Sequence, residues 1–274
     1  MPEGDSVFKL VAYLRPALLG QRLHAASMVK GWDADIRGRE VSDVFAHGKH
    51  LFFELDRRYL LRSHLGMRGS WHAYASHEPW LKPASQASVV LATDDRRFVC
   101  FNALQVEILR SNGVRRRQIE QRLGPDLLDP KPLFDDMVGR VRRLIAGDTP
   151  LVDLLLDQRI ATGIGNVFKS ETLFVARHHP LLRVDALDDA HLLALFEQAS
   201  VLMKQNVRQG PRVTRRARDE ASRLWVYGRT HQPCLNCEDR IVSARLGRNR
   251  RSTFWCPSCQ PTFDAAVASD DATS

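Results

Sequence analysis

Residues 155–167 read LLDQRIATGIGNV and join two stretches of helical character through Gly163 and Gly165. One apolar helical pattern ends near Gln158, and a second begins at Val167. A helix that starts directly after such a turn presents its first backbone N–H groups to an anion, and Asn166 adds a side-chain donor. The stretch predicts either a phosphate site at a helix N-terminus or a purely structural turn.

Helical spacing of apolar residues continues on both sides of this turn, after a break at residues 123–126 (LGPD). We expect helices near residues 134–145, 151–158, 167–176 and 188–207. At the other end of the chain, a similar pattern runs from Asp5 to Gly20. Pro16 falls inside that pattern, so this first helix is expected to kink or to end early.

Short apolar runs replace the helical pattern between about Glu40 and Phe101. They occupy residues 51–55, 59–61, 88–91 and 98–101, with charged turns between them. Such runs are typical of an antiparallel β-domain of two packed sheets.

Four of the five cysteines form a C-x2-C pair, an eighteen-residue gap and a second C-x2-C pair, at Cys234, Cys237, Cys256 and Cys259. This spacing suits one structural Zn²⁺ with four thiolate ligands. The fifth, Cys100, stands in an apolar run and is expected to be a buried structural thiol. Three arginines precede the second pair, so the module presents cations either to a nucleic-acid groove or to a protein partner.

The charge balance is basic, with 40 Lys and Arg against 32 acidic residues and an isoelectric point near 9.6. A basic surplus favours a polyanionic partner, although charge alone decides nothing. Residues 210–223 (GPRVTRRARDEASR) are either a solvated loop or a segment that orders against phosphate. No apolar run reaches membrane-spanning length and no signal peptide is evident, so we expect a cytoplasmic protein.

The first residues, Met1-Pro2-Glu3, could supply a nucleophile and a proton donor. If Met1 is removed, Pro2 becomes a secondary amine with a pKa near ~8, so a large fraction is neutral at pH 7. A neutral amine can attack C1′ of a deoxyribose and form an iminium, while Glu3 moves protons. The alternative is an ordinary start of a chain.

Two glycine-containing turns in the β-region also carry candidate residues. In residues 46–52 (AHGKHLF), Lys49 starts a strand and is either a phosphate contact or a solvated lysine. In residues 63–70 (SHLGMRGS), Met67 either enters the gap left by a flipped base or packs in the core.

Together, six motifs resemble the formamidopyrimidine/endonuclease VIII family of DNA glycosylases, over residues 2–260. They are PEG, HGKHLFF, SHLGMRGS, DxRRF at residues 94–98, GIGNVFKSE, and VYGR followed by CxxC and RRSTFWCPSCQ. The resemblance implies an α+β multidomain fold: an N-terminal antiparallel β-sandwich flanked by helices, a helix-two-turns-helix domain and a C-terminal zinc-finger β-hairpin. The implied domains are residues 1–124, a linker and first helix at 125–149, 150–227, the zinc finger at 228–262, and a disordered tail at 263–274.

The resemblance also implies catalytic roles. Pro2 matches the Schiff-base nucleophile and Glu3 the proton donor and acceptor. Lys49 matches a phosphate contact of the catalytic domain, and Arg251 matches the zinc-finger arginine that binds phosphate and assists elimination.

Further residues match DNA contacts of the family. His64 and Asn166 resemble phosphate-binding residues, and Glu171 matches the glutamate of the helix-two-turns-helix motif. The side chains that resemble the family's void-filling set, which occupies the gap in the base stack, are Met67, Arg96 and Phe98.

The implied activity is a bifunctional DNA glycosylase/lyase that forms a Schiff base at Pro2 and then cuts the strand by β- or β,δ-elimination. It acts on double-stranded DNA with oxidised bases or abasic sites, as a monomer with one structural zinc, in the nucleoid. PEG followed by Asp5 resembles actinobacterial endonuclease VIII-like enzymes, and residues 210–225 look too short for the purine branch's base-capping loop. Both favour oxidised pyrimidines, whereas the void-filling set resembles the purine branch. The alternatives are a purine-specific enzyme, a catalytically silent damage-binding protein, or a zinc-ribbon interaction module.

Overall fold

A computed structural model describes residues 2–28, 36–216 and 222–262. The chain divides into two compact units, residues 1–122 and 123–274. The predicted tail at 263–274 and residues 217–221 of the arginine-rich segment lie outside the described residues. No helix within the described ranges has both the length and the apolar character that crossing a bilayer requires.

The first unit is a sandwich of two four-stranded antiparallel sheets, with strand orders β1-β6-β7-β5 and β2-β3-β4-β8. A short 3-10 helix, Ala84–Gln86, precedes β6. The elements are α1 (Gly4–Leu18), β1 (Ala25–Met28), β2 (Val41–His47), β3 (His50–Leu55), β4 (Tyr59–His64), β5 (Ser70–Ala75), β6 (Ala87–Ala92), β7 (Arg96–Phe101), β8 (Gln105–Arg110) and α2 (Val114–Arg122).

The core of the sandwich lies between the two sheets and under α1, which packs against β2 and β3. Alternate residues of the strands supply it, as the apolar runs predict. Its fully buried members include Phe53 and Phe98. Pro16 lies in the last turn of α1, and the helix continues to Leu18, so the expected kink does not shorten it much.

The second unit is a helical core with a two-stranded hairpin at its C-terminal side. Its helices are α3 (Phe134–Leu144), α4 (Leu151–Leu154), α5 (Asn166–Val175) and α6 (Asp189–Lys204), with a 3-10 helix at Val184–Ala186, and its strands are β9 (Val242–Leu246) and β10 (Arg251–Trp255). Helix α6 packs against α3 and α5, and α5 also packs against β10. The predicted α+β fold of two sheets, helices and a cysteine-bearing hairpin is confirmed.

One predicted helix is wrong in length, because α4 ends at Leu154 instead of reaching Gln158. The carboxylate of Asp157 accepts a hydrogen bond from the backbone N–H of Arg159 (2.9 Å), which favours a turn over another helical residue. The amide of Gln158 then fastens the turns that follow, since its Nε2 donates to Ile164 O and its Oε1 accepts from Gly163 N. The glycine stretch is therefore a rigid double turn.

Candidate active site and nucleic-acid interface

The N-terminal pair lies at the start of α1. Glu3 is the N-cap residue, and its backbone carbonyl accepts from Ser6 N and Val7 N. The Glu3 side chain is fully buried and makes no capping hydrogen bond. A buried carboxylate next to Pro2 is suited to moving protons.

Lys49 lies in the two-residue turn Gly48-Lys49 between β2 and β3, where Gly48 has a φ of +57°. At this end of the sheet, neighbouring strands pair His47 with His50, His50 with His64, and His64 with Gln105. These four residues form a terminal row across the sheet, and the turn lies just beyond it. The positive charge of Lys49 contributes to lowering the pKa of His64, so the two side chains are electrostatic neighbours. The structure thus brings together two of the predicted phosphate contacts.

A buried arginine organises this row. Arg62 donates to Nδ1 of His50 (3.1–3.3 Å), to Gln105 Oε1 (3.2 Å) and to a carboxylate oxygen of Glu107. Burial first, and then the charge of Arg62, lowers the pKa of His50 to about 2. His50 is therefore a neutral hydrogen-bond acceptor.

His64 packs against His50 with ring centroids 4.8 Å apart. Burial lowers the pKa of His64 to about 4, with further contributions from Lys49 and Arg62. Its buried Nδ1 has no hydrogen-bond partner among the described residues. That nitrogen is buried and therefore not accessible to a phosphate oxygen, so His64 stays a predicted phosphate contact only through its half-buried ring beside Lys49.

Met67 lies at the tip of the tight turn between β4 and β5, and 67% of its surface is exposed. The turn is fixed on both sides, because Gly69 N donates to Leu65 O (3.0 Å) and Gly66 adopts a φ of +62°. Of the two alternatives that the sequence left open for Met67, core packing is excluded.

The structure does not bring Arg96 and Phe98 to Met67. Ser70, next to the Met67 turn, pairs with Phe101, whereas Arg96 pairs with Ala75 at the opposite end of β5. Five residues of strand separate the two ends, which is roughly 17 Å. Phe98 is fully buried in the core, so its side chain cannot reach DNA. The predicted void-filling trio is corrected for Arg96 and Phe98, which lie away from the Met67 turn, and the role of Met67 stays a prediction.

The residue that does adjoin the Met67 turn is Leu104, which sequence reasoning missed. A Cβ placed on Gly66 would lie 2.8 Å from Leu104 Cβ, so the two residues are in direct contact. Leu104 is 66% exposed. No motif marks this position, and a single leucine before a strand reads as ordinary core.

In the second unit, Asn166 begins α5 and is bound to the hairpin. Its Nδ2 donates to Ser252 O (2.6 Å), and its Oδ1 accepts from Nζ of Lys169 (2.8 Å). Lys169 is fully buried and also donates to Thr253 Oγ1 (2.8 Å) and Ser252 O (3.3 Å). This second missed residue joins the helix N-terminus to the strand that carries Arg251.

Glu171 faces inward, not toward solvent. It is fully buried and accepts hydrogen bonds from the backbone N–H groups of Trp225 (2.8 Å), Val226 (3.0 Å) and Tyr227 (2.8 Å), and from the hydroxyl of Thr214. Its predicted place among the DNA contacts is corrected. Glu171 is a positioning residue that anchors the two ends of the arginine-rich segment to α5.

Arg251 is the exposed first residue of β10, directly after the hairpin tip. The tip is seated on α4, because the carboxylate of Asp153 accepts from Arg248 N (2.9 and 3.0 Å). Gly247 is required there, since its φ is +73° and a Cβ would come 2.4 Å from Asp153 Oδ1. The hairpin arginines are therefore displayed from a fixed backbone.

The four paired cysteines converge at the base of the hairpin, and their sulfur atoms all lie within 4.8 Å of one another. The Sγ–Sγ separation is 3.8 Å for Cys234–Cys259 and 3.4 Å for both Cys237–Cys256 and Cys237–Cys259. A tetrahedral zinc with four thiolates needs separations of about 3.8 Å. These residues fit a four-thiolate metal site.

Cys100, by contrast, is fully buried in the sandwich, and burial raises the pKa of its thiol to about 12. It is a structural thiol, as predicted.

Comparisons with known proteins agree with this geometry. Residues 1–105 match the model of the formamidopyrimidine-DNA glycosylase N-terminal domain, and residues 123–217 match that of the formamidopyrimidine-DNA glycosylase H2TH domain. The chain is 35% identical to the "Probable endonuclease 8 2" of Streptomyces coelicolor, with 95% of this chain and 94% of that protein covered. The chain belongs to the formamidopyrimidine-DNA glycosylase/endonuclease VIII family.

Sequence identity differs between the two branches of the family. The "DNA-(apurinic or apyrimidinic site) lyase Nei2" of Mycolicibacterium smegmatis is 34% identical, with 95% of this chain and 99% of that protein covered. The formamidopyrimidine-DNA glycosylase of an Exiguobacterium strain is 27% identical at the same coverage. Among solved structures, a Lactococcus lactis formamidopyrimidine-DNA glycosylase mutant with Fapy-dG-containing DNA superposes with a TM-score of 0.80 at 20% identity, covering 95% of this chain and all of that one.

Proposed function

We propose that this family member is a bifunctional DNA glycosylase and abasic-site lyase of base excision repair. The observation that carries the proposal is the buried Glu3 carboxylate directly beside Pro2, in a chain whose relatives are named endonuclease 8 and abasic-site lyase. A damage-binding protein without catalysis is the alternative, and it predicts that Pro2 forms no covalent bond with DNA.

In the proposed reaction, removal of Met1 leaves Pro2 as a secondary amine. Its nitrogen bonds to C1′ of the lesion sugar and loses its proton, and the bond from C1′ to the base breaks. The C1′–O4′ bond opens to give an iminium, and the departing base and O4′ each end with one proton, one of them supplied by Glu3.

The iminium then acidifies the C2′ proton. Loss of that proton and cleavage of the bond from C3′ to its phosphate oxygen break the strand by β-elimination. Water hydrolyses the remaining iminium and frees Pro2 for another cycle.

Each unit contributes phosphate contacts to this proposal. In the first unit, Lys49 and the half-buried ring of neutral His64 would contact the backbone next to the lesion. In the second unit, the N-terminus of α5 at Asn166 and the exposed Arg251 would do the same. Contacts of this kind position the duplex without reading its sequence.

The cysteine cluster is proposed to hold one structural Zn²⁺ through Cys234, Cys237, Cys256 and Cys259. When bound, the ion would cross-link the base of the hairpin, where the cysteines pack with Phe174, Val226 and Ile241. The residues of the hairpin, and not the ion, would contact DNA.

For the substrate, we propose oxidised pyrimidines, because the sequence identity to the two endonuclease 8-type relatives (35% and 34%) is higher than to the formamidopyrimidine-DNA glycosylase (27%). The absence of Arg96 and Phe98 from the Met67 turn removes the feature that resembled the purine branch. Strand cleavage of duplexes that contain thymine glycol, dihydrouracil, 5-hydroxyuracil or 8-oxoguanine distinguishes a pyrimidine preference from a purine preference. Faster cleavage at 8-oxoguanine than at the three pyrimidine lesions would overturn the proposed preference for pyrimidines.

Three further parts of the proposal concern organisation. We propose domains at residues 1–124, 125–149, 150–227 and 228–262, action as a monomer, and a place in the nucleoid. Sedimentation with and without abasic-site DNA tests the monomer, since a second protomer on one lesion would contradict it.

Borohydride trapping tests the function itself. The native protein, with the Pro2 amine exposed, is expected to form a covalent adduct with duplex DNA that contains an abasic site, and Pro2→Gly is expected to form far less. Equal behaviour of the two proteins, or no adduct from either, would refute the proposed chemistry.

A further inference from the structure

A group of exposed arginines lies at the end of the sandwich that is remote from Lys49. This distal arginine patch consists of Arg57, Arg58, Arg110 and Arg117. The first two lie in the turn between β3 and β4, and Arg110 ends β8. Strand β4 spans six residues from this end to His64, which is about 17 Å. The patch is therefore separate from the phosphate contacts proposed for this unit.

Backbone hydrogen bonds hold the segments of the patch together. The N–H of Ser111 donates to Arg58 O (2.8 Å), and the guanidinium of Arg116 donates to Ser111 O (2.8 Å). Tyr59, the residue after Arg58, pairs with Arg110 across the two strands. The turn, the end of β8 and the start of α2 thus present their arginines from one fixed backbone.

The charge of the patch is not neutralised locally. Its four side chains form no ion pair with any residue that the structure describes. Nearby carboxylates are engaged with other groups, since Asp56 accepts from Arg39 and from Glu40 N, both at 2.9 Å, and Glu120 accepts from Arg116 (2.7 Å). The exposed carboxylate of Glu40 offsets one charge, so the patch keeps a positive surplus.

Arg57 occupies a position where the backbone favours a different residue. It has a φ of +55° and follows Asp56, which has a φ of +49°, in a turn closed by Arg58 N and Leu55 O (2.9 Å). Two successive positive φ values favour Gly, Asn or Asp and are unfavourable for a long side chain. The arginine is therefore present at a cost in stability.

Helix α2 carries a second unfavourable arrangement. Its first turn contains Arg115, Arg116 and Arg117 and no acidic residue. Positive charge at a helix N-terminus opposes the helix dipole, so it does not stabilise the helix. Arg115 and Arg116 have acidic partners in Glu107 and Glu120, but Arg117 belongs to the unneutralised patch. Charges that folding disfavours, gathered on one surface, indicate a binding function.

We propose that the distal arginine patch binds the phosphates of a second duplex DNA segment, separate from the duplex at the lesion site. Cations on a fixed backbone bind phosphates without reading sequence, because association releases counterions. We favour DNA over other polyanions because the same unit carries proposed phosphate contacts at its other end. The inference thus rests on the proposed binding of DNA, but not on the lyase chemistry. A protein with two such surfaces can hold one duplex while it examines another.

Sedimentation with an excess of a short duplex counts the duplexes bound per chain. A duplex of about twelve base pairs is stiff and roughly 40 Å long, so one molecule cannot bend around both ends of the sandwich. Wild type is expected to bind two duplexes per chain at low salt. At about 0.1 M salt, the second duplex should bind about fivefold to tenfold more weakly to Arg57→Gly, which loses one phosphate contact.

The Arg57→Gly variant also separates binding from folding. Because glycine adopts a positive φ freely, its thermal midpoint should equal or exceed that of wild type. Arg97→Ala is the control, since Arg97 is exposed in the other sheet of the same unit and its loss removes the same charge. It should leave the affinity for the second duplex within about twofold of wild type.

Two results would overturn the inference. Wild type that binds a single duplex under excess DNA would show that the patch serves another polyanion, such as an acidic protein or a lipid surface. Equal affinity of Arg57→Gly and Arg97→Ala for the second duplex would show that the patch does not contact DNA.

Borohydride trapping keeps the proposed function distinguishable. Arg57→Gly should form the adduct with abasic-site duplex within about twofold of the wild-type rate. Wild type that forms no adduct and yet binds two duplexes would refute the lyase chemistry and support the patch.

Discussion

The ammonium nitrogen of Lys169 lies 2.8 Å from Thr253 Oγ1, so a fully buried cation on α5 holds the strand of the cysteine hairpin. The same nitrogen lies 2.8 Å from Asn166 Oδ1. One side chain thus sets the distance between the helix N-terminus and β10, the two elements of this unit proposed to bind phosphate.

Replacing Lys169 by Met should lower the free energy of unfolding by about 1–3 kcal/mol, because buried acceptors on Asn166 and Thr253 lose their donor. Urea denaturation measures this loss. Lys204→Met, on the last turn of α6, serves as the control and should be nearly neutral. Unchanged stability of Lys169→Met would show that the lysine does not join the two elements.

The hairpin tip should be sensitive to a single methyl group. Gly247→Ala places a Cβ 2.4 Å from Asp153 Oδ1 and displaces the carboxylate that binds Arg248 N. We expect it to cost about 2 kcal/mol more than Gly228→Ala, which has the same backbone strain at a φ of +76° but no atom within 4 Å. Equal losses in urea denaturation would mean that Asp153 does not seat the tip.

Acid should destabilise the first unit through its histidines. The pKa of His50 is lowered to about 2, from an ordinary value of 6.5. Below pH 6.5 the unfolded chain takes up a proton that the folded protein excludes, so the free energy of unfolding falls with pH, by at most about 1.4 kcal/mol per unit for this residue. Above pH 6.5 the residue contributes no pH dependence.

His50→Asn keeps an acceptor for Arg62 and removes the titration, so it should flatten the slope of stability between pH 6.5 and pH 5. His77→Asn, at an exposed position, should leave the slope as in wild type. Urea denaturation across this pH range measures both. Identical slopes for wild type and His50→Asn would contradict burial of a neutral His50.

Zinc content should depend on the paired cysteines and not on the buried one. We expect one equivalent of zinc per chain in wild type and in Cys100→Ala, and a strongly reduced content in Cys237→Ser. Elemental analysis after dialysis measures this, and chelation should lower the thermal midpoint of the wild type. Full zinc content in Cys237→Ser would contradict a four-thiolate site.

DNA affinity should fall steeply with salt, since phosphate contacts release counterions. Arg251→Ala should reduce the slope of log affinity against log salt by about 1. Lys131→Ala, at an exposed loop position, is the control and should leave the slope unchanged. Binding that hardly changes between low and moderate salt would contradict the proposed contacts.

Much of the fold could be predicted from sequence patterns, because the spacing of apolar residues and of cysteines depends on local backbone geometry. Short apolar runs between charged turns placed the strands around Phe53 and Phe98, and the cysteine spacing placed the hairpin. The end of helix α4 was predicted too late because a side-chain hydrogen bond of Asp157 competes with apolar periodicity.

The candidate site was less predictable because its decisive features depend on tertiary packing. The DxRRF motif resembled the family's void-filling residues, yet β7 is an inner strand covered on both sides, so Phe98 joins the core. Sequence alone suggests that Lys169 is a solvated helix residue, because its burial depends on packing of the hairpin against α5. Leu104 reads as core until a three-residue connection turns it outward.

The central claim is that the nitrogen of Pro2 bonds to the lesion sugar. Mass spectrometry of the borohydride-trapped and proteolysed adduct tests it most directly. We predict the sugar remnant on an N-terminal peptide that begins at Pro2, with Met1 absent. A remnant on a lysine, or full activity in protein that keeps Met1, would contradict the account.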